Sequence, residues 1–471
     1  MNFVSPAFAV LFAAVLAARL TIGRRKTERS YIGVLIVAGA VFYGWHVPAY
    51  LLLLLTSTSV DFAASIALGR LRHDRRGLRR TVLAASLGTN LGLLSLFKYG
   101  DLIVRTLARA VGLFGDVPPL PSLGWVLPIG ISFYTFEAMS YTIDVYRGQL
   151  TPLSRFSDFF LFISFFPHLV AGPIVRAREF LPQIPRPRPL RLHAMYEGLW
   201  LITSGLFLKT VCADNLAAFV NRYWNDAIRS HASPSHTALL VVMFSGQIFA
   251  DFAGYSNIAR GLAYVLGFRL PINFNAPYIA ASFRNFWERW HITLSRWLRD
   301  YLYVPLGGNR RGATRTYANL GIVMLLGGLW HGAAYRFVVW GGIHGAALAG
   351  ERRLGLHTRA ARPVFVRAIW FIVVQAAVLC AWVFFRSDGV RDAFALLRNF
   401  SRVGPLMPPR GLLAGGVFLL PILAVHVWTW LEERRHVAAL GPFQRAALVG
   451  VMAYAIVMMR GATSDFIYFQ F

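Results

Sequence analysis

Apolar residues recur in runs of about 15 to 25 along almost the whole chain, broken by short basic or Pro/Gly-rich stretches. The runs at 3–22, 31–45, 47–69, 81–99, 123–143, 195–212, 236–267, 317–331, 335–350, 365–385, 411–431 and 445–459 predict membrane-spanning helices. Several are shorter than the ~20 residues a bilayer requires, so the pattern gives 10 to 12 spans. The fold class expected is an all-α polytopic integral membrane protein, one membrane domain over 1–471, with no long linker and no internal repeat. Residues 3–22 are followed, not preceded, by the basic cluster Arg24, Arg25 and Lys26. A secretory signal has the opposite order, so this run predicts a first span with its N-terminus outside, on the periplasmic face.

Two stretches depart from simple spans. Over 283–303, at about 100° per residue, Phe283, Phe286, Trp287, Trp290, Leu294, Trp297, Leu298 and Tyr301 fall in one stripe roughly 120° wide. Arg284, Glu288, Arg289, Arg296 and Arg299 fall opposite, which predicts a single amphipathic helix at the cytoplasmic interface. The run 317–350 is apolar but interrupted by Trp330-His331-Gly332. Each half of ~15 residues reaches only ~22 Å, so the pair predicts a broken or re-entrant element of the kind tolerated where it lines a protein cavity.

Composition sharpens the class. The 471 residues are 56% hydrophobic and only 15% charged, with a mean hydropathy of +0.51. That excludes a water-soluble globular enzyme or a disordered chain. Of 48 cations 45 are Arg, and against 21 acids they leave a net charge of +27. Such an excess also occurs in nucleic-acid-binding proteins, but those do not carry repeated apolar runs of this length, so no nucleic-acid partner is expected. The excess reads as positive-inside charge in cytoplasmic loops: Arg24 to Arg29, Arg70 to Arg80, and the dense regions 176–191 and 284–315. Cys212 and Cys380 sit in apolar runs without a partner motif, so neither disulfide nor metal site is predicted.

Chemistry narrows to histidine. There is no nucleophile elbow, no phosphate-binding or dinucleotide glycine pattern, and no set of closely spaced His boxes. His73, His193, His231, His236, His357 and His436 lie in polar or loop contexts, His46 and His426 at span ends, and His168 beside a Pro-Gly-Pro turn. His291, His331 and His344 lie in strongly apolar segments, where an ionisable group marks a candidate functional site. His331 is flanked by Gly327, Gly328 and Gly332, which permit close backbone approach; a core His bonded to a carbonyl is the competing reading. His291 falls about 80° from the centre of its apolar stripe, where it can look into a cavity or simply sit at the interface. A neutral imidazole can take the proton of a hydroxyl as it attacks an acyl carbon. Arg284, Arg289, Arg296, Arg299, Arg310 and Arg311 are candidates for the phosphates of an acyl donor, because guanidinium binds phosphate bidentately; ordinary topogenic charge is the alternative for each. The carboxylates inside apolar runs, Asp61, Glu137, Asp144, Asp214 and Asp251, make only a thin proton or sodium path.

Five long segments then carry a family likeness: LPIGISFYTFEAMSYTIDVYRG (127–148), FFPHLVAGPIVRAREFLPQI (165–184), DFAGYSNIARGLAYVLGFRLPINFNAPY (251–278), FWERWHITLSRWLRDYLYVPLGGNR (286–310) and GGLWHG (327–332), with DFIYFQF at 465–471. Together they resemble the membrane-bound O-acyltransferase (MBOAT) family, and within it the bacterial alginate O-acetyltransferases (AlgI-like). The likeness runs from about residue 30 onward; 1–29 is least diagnostic, and the catalytic core is expected at about 123–350. The resemblance implies a funnel or tunnel through the membrane with His331 as the base at its waist and His291 as the second family histidine. It implies acetyl-CoA as donor substrate with no tightly bound cofactor, and an acceptor on the far side: a polysaccharide hydroxyl or a periplasmic partner acetyltransferase. A bacterial inner-membrane location follows. No motif reads out the sugar. The alternative from another class is a polysaccharide or lipid transporter without covalent chemistry.

Overall fold

A computed structural model describes residues 1–22, 28–112, 127–230, 232–356, 363–405, 408–462, 464, 466 and 467. Arg24, Arg25, Lys26, His231, His357, the start of the run at 123 and most of 465–471 therefore lie outside the described residues. Every regular element among the described residues is helical. Six helices are long and apolar enough to cross a membrane: Tyr50–Arg70, Arg76–Val111, Pro234–Val265, Val364–Arg386, Arg410–Glu433 and Pro442–Met459. Two shorter apolar helices cover Pro6–Ile22 and Arg29–Gly44. The remaining apolar runs lie in Ile131–Tyr146, Leu192–Leu206, Gly312–His331 and Tyr335–Arg353, which are not among those helices. Pro442–Met459 buries none of its residues, and Val451, Tyr454, Val457 and Met458 face outward, a surface suited to lipid and not to water.

The chain, expected as one domain, divides into two compact units: Met1–Leu199 with Ile258–Pro271, and Trp200–Asn257 with Ile272–Phe471. In the first unit the helix Ile131–Tyr146 is buried from Ile131 through Val145 and packs on Tyr50–Arg70 and Arg76–Leu94. Polar groups inside these apolar helices are matched to one another, as burial demands. Asp61 accepts from Ser86, from Thr142 Oγ1 (3.0 Å) and from Asn90 Nδ2 (2.8 Å). Glu137 and His168, both fully buried, pair at 3.0 Å, and the Val175 amide donates to the same carboxylate at 2.9 Å. A short helix, Phe156–Ser164, was not foreseen from the sequence. Its FSDFFLFIS run is too brief to span a bilayer, yet Phe159 to Ser164 are all buried.

In the second unit the run 195–212 does not stop where its hydropathy does. The Leu192–Leu206 helix, which begins in the first unit, continues through a π-helical stretch Phe207–Ala213 into Asp214–Arg229. The π stretch carries Lys209, a fully buried lysine bonded to Asp214 (2.7 Å) and Asp251 (2.8 Å). These pairs commit two of the carboxylates that a proton path would have used.

The expected single amphipathic helix at 283–303 is two helices, Phe283–Arg289 and Ile292–Leu298, followed by a π turn Arg299–Tyr303. The break falls at His291, whose φ of +42° lies in the left-handed region. Tertiary bonds hold the break open: the Asn275 amide donates to the Arg289 carbonyl (3.0 Å) and the Ile292 amide to the Asn273 carbonyl (2.9 Å). The interruption at 330–332 is present as expected, but its flanking helices are longer than the sequence suggested. Gly312–His331 has 20 residues and Tyr335–Arg353 has 19, so each reaches about 30 Å. Glycine brings the two together. A Cβ at Gly328 would overlap the Phe337 carbonyl, and one at Gly341 the Met324 carbonyl.

Candidate active site

The hairpin Gly312–His331/Tyr335–Arg353 positions the first histidine. Gly332 closes the first helix beneath the Phe337 ring, which a Cβ at that position would overlap. His331 is thereby held at the helix end, 2% exposed, with Trp330 and Trp340 edge-on at 5.0 Å and Phe385 at 5.4 Å. It lines a cavity of about 530 Å³ whose apolar wall includes Trp287, Leu294, Leu298, Met324, Gly327 and Trp340. The ring is walled mainly by aromatic side chains, and both of its nitrogens are buried.

The same cavity is lined by Arg284, Arg296, Arg299 and Arg352. Arg284 is paired with Glu288 (2.9 Å) and Arg299 with Asp300 (2.7 Å). Arg296 and Arg352 form no ion pair among the described residues, which leaves two guanidinium groups on the wall for an anion. The remaining arginines singled out in the sequence sit elsewhere. Arg289, expected on the charged face, is buried and grips Glu433 at 2.7 and 2.9 Å. Helical periodicity misplaced it because the helix ends at this residue. Arg310 turns back to the carbonyls of Val304 (3.3 Å) and Gly307 (3.5 Å), and the Arg311 chain packs on Gly307. Neither lines the cavity.

Arg352 escaped the sequence reading because Glu351-Arg352-Arg353 has the form of an ordinary charged helix end. Its neighbour Glu351 points inward instead. The Glu351 carboxylate accepts the amides of Phe283 (2.8 Å) and Arg284 (3.0 Å) and the Trp370 indole N–H (3.2 Å). A negative charge on the first amides of Phe283–Arg289 satisfies donors that have no intrahelical partner, and Ser282 caps the same end by accepting from Asn285 (2.9 Å). The cavity rim is thus tied to the hairpin.

His291 is fully buried and does not line this cavity, so neither the cavity-facing nor the interfacial position open to it in the sequence is the one it takes. Its ring lies 6.4 Å from that of His331, edge-on to Phe252 (4.7 Å) and Trp330 (5.8 Å), and its Nδ1 is 3.1 Å from Asn273 Oδ1. His344 is boxed by Trp340 (4.9 Å), Trp287 (5.1 Å) and Phe286 (5.9 Å) behind the cavity wall. Two histidine rings side by side next to an arginine-lined cavity can move a proton and hold an anionic substrate. Among the described residues no group of three or more His, Cys, Asp or Glu is placed to bind a metal ion.

Comparison with known proteins gives this geometry its family. Residues 113–388 match the MBOAT, membrane-bound O-acyltransferase, family. The chain is 37% identical to the probable alginate O-acetylase AlgI of Pseudomonas aeruginosa over 84% of this chain and 74% of that protein. It is 34% identical to the peptidoglycan O-acetyltransferase of Helicobacter pylori over 78% of this chain and 72% of that protein. It is 30% identical to the teichoic acid D-alanyltransferase of Bacillus subtilis over 46% of this chain and 56% of that protein. The cavity with Arg284, His331 and Arg352 falls inside the family-matched segment. The chain therefore belongs to the membrane-bound O-acyltransferase family and is a multi-pass membrane enzyme of acyl transfer.

Proposed function

We propose that this protein moves an acetyl group from cytoplasmic acetyl-CoA to a hydroxyl of a cell-envelope polysaccharide, alginate-like in class, with His331 as general base. The observation that carries the proposal is that one cavity holds both His331 and the guanidinium groups of Arg284, Arg296, Arg299 and Arg352. A donor bearing several phosphates suits the arginines, through charge-assisted bonds. The apolar wall of Trp287, Leu298 and Met324 suits the thioester arm. His331 takes the hydroxyl proton as the oxygen attacks the thioester carbonyl. The tetrahedral intermediate then expels the thiolate, which takes up the proton that His331 holds. No protein nucleophile is required, because the donor is already activated.

The final acceptor is either the polysaccharide itself or a periplasmic partner acetyltransferase that completes the transfer. The Arg-rich surface faces the cytoplasm under the positive-inside bias, the N-terminus faces the periplasm, and lipids of the bacterial inner membrane surround the helices. The relatives named for alginate and peptidoglycan O-acetylation support a carbohydrate acceptor.

His331→Ala tests the base. It is expected to abolish polysaccharide acetylation in the producing cell while the protein still inserts in the membrane and melts at an unchanged temperature. Wild-type acetyl content in that strain overturns the assignment.

A further inference from the structure

Asn273 lies on no helix, in the segment that precedes the buried Pro277 turn, inside the 251–278 stretch that carries part of the family likeness, where nothing in the sequence assigns it a role of its own. It is 1% exposed and occupies the bend around His291. Its Oδ1 faces three groups: the Thr293 backbone amide (3.4 Å), the Thr293 hydroxyl (2.9 Å) and His291 Nδ1 (3.1 Å). Its Nδ2 donates to Ser256 Oγ at 3.1 Å. The Thr293 amide can only donate, so the Asn273 atom facing it is the oxygen, and the orientation of the side-chain amide is fixed. An amide oxygen can only accept, so His291 Nδ1 must carry the proton. The main chain repeats the grip: the Ile292 amide bonds the Asn273 carbonyl at 2.9 Å, directly after the left-handed His291.

Resting on the proposed His-based acyl transfer, we propose that Asn273 is a positioning residue that locks His291 as the neutral Nδ1–H tautomer, with its Nε2 lone pair kept for the proton of the reaction. Nε2 is buried and has no hydrogen-bond partner among the described residues. In this tautomer Nε2 is the basic atom of the ring. There it takes up the proton that His331 draws from the hydroxyl and gives it back to His331 for the leaving thiolate, so no net proton is gained or lost in a turnover. The other tautomer would place a hydrogen on Nε2 and remove the base. A strained, non-glycine left-handed backbone at the same residue is the kind of local cost that persists where surroundings over-determine a geometry.

The rings packed on His291 are Phe252, Phe274 and Trp330, which do not titrate, and His331, which does. The charged side chain closest to it in sequence, Arg289 at the end of the preceding helix, is committed to Glu433. A carboxylate placed at 273 would therefore be the dominant new charge on this imidazole.

The test uses the full-length protein in nanodiscs, with 15N-labelled histidine, together with acetyl content of the polysaccharide made by cells carrying each variant. The His291 signal is identified by its loss in His291→Ala. The wild type is expected to show a protonated Nδ1 and an unprotonated Nε2, and Asn273→Ala to show mixed or reversed tautomers with transfer lowered on the order of 10²-fold. Asn273→Asp still accepts from Nδ1. It is expected to keep the tautomer and most of the transfer, and to raise the pH at which the His291 ring becomes doubly protonated, because an adjacent carboxylate favours imidazolium. A purely structural Asn273 would not give that shift. A protonated Nε2 in the wild type overturns the proposal. So does wild-type transfer in Asn273→Ala alongside inactive His291→Ala and His331→Ala. Normal transfer in His331→Ala would instead defeat the proposed function and leave the tautomer result standing.

Discussion

At the scale of single residues, the site rests on a few side chains whose neighbours differ from what their sequence context suggests. His331 was singled out in the sequence because an ionisable ring amid glycines in an apolar run is a candidate functional group, and the structure sets it in the lining of the cavity. Arg296 and Arg352 are the cavity-lining guanidinium groups without an ion pair among the described residues, and they carry the prediction for donor binding. Arg296→Gln and Arg352→Gln should each raise the acetyl-CoA KM about tenfold with kcat little changed, since a charge-assisted bond contributes about 1.5–3 kcal/mol. Arg310→Gln, whose guanidinium faces backbone carbonyls outside the cavity, should leave the KM near the wild-type value. Steady-state kinetics in detergent distinguish the two groups, and equal effects at all three positions would return the arginines to topogenic charge. Arg352 was not legible, because a charged helix end has no distinguishing pattern until its partners are in place, and Asn273, although inside the 251–278 stretch of family likeness, had no readable role until its partners were known.

At the scale of elements, the hairpin around Gly332 sets the position of His331, and its packing depends on glycines with unequal roles. A Cβ at Gly341 would overlap the Met324 carbonyl, whereas one at Gly342 would meet only Leu325 Cδ2 at 3.7 Å. Gly341→Leu is expected to separate the helices and abolish both a sharp melting transition and activity. Gly342→Ala should be neutral or stabilising by up to about 1 kcal/mol, because alanine favours the helix. Thermal melts of the two purified variants decide this, and a cooperative wild-type-like melt for Gly341→Leu would show that the hairpin tolerates separation. The break at 330–332 could be read in advance from its Gly and His punctuation. The break at 290–291 could not: the helical period of apolar residues continues across it, and the bonds that open it come from Asn273 and Asn275, some 14 to 19 residues earlier in the chain.

At the scale of the whole chain, a buried ionic cluster fixes where the last described segment ends. Lys209 on the π stretch joins Asp214, Asp251 and the Ser464 carbonyl (3.0 Å), and Asp251 accepts the Ile467 amide at 2.7 Å. Phe466 then packs tilted against Tyr255 (4.4 Å) and edge-on to Phe252 (5.6 Å), the ring that also faces His291. Removing one partner of a buried pair leaves uncompensated charge at a cost of about 3–5 kcal/mol. Lys209→Met should therefore lower the melting temperature and expose the chain at Ser464 and Ile467 to protease, measured on the intact protein in nanodiscs. An unchanged melt would show that the cluster is held by packing alone.

The sequence by itself determined that this chain is helical and lies in a membrane, and it singled out the histidines in apolar segments, because hydropathy and side-chain type are local and additive along the chain. Only the tertiary structure decided which arginines share a cavity with His331, that Arg289 belongs to Glu433, and that Asn273 faces His291. Those pairings depend on segments distant in sequence meeting at hydrogen-bond range, and no local pattern encodes such a meeting.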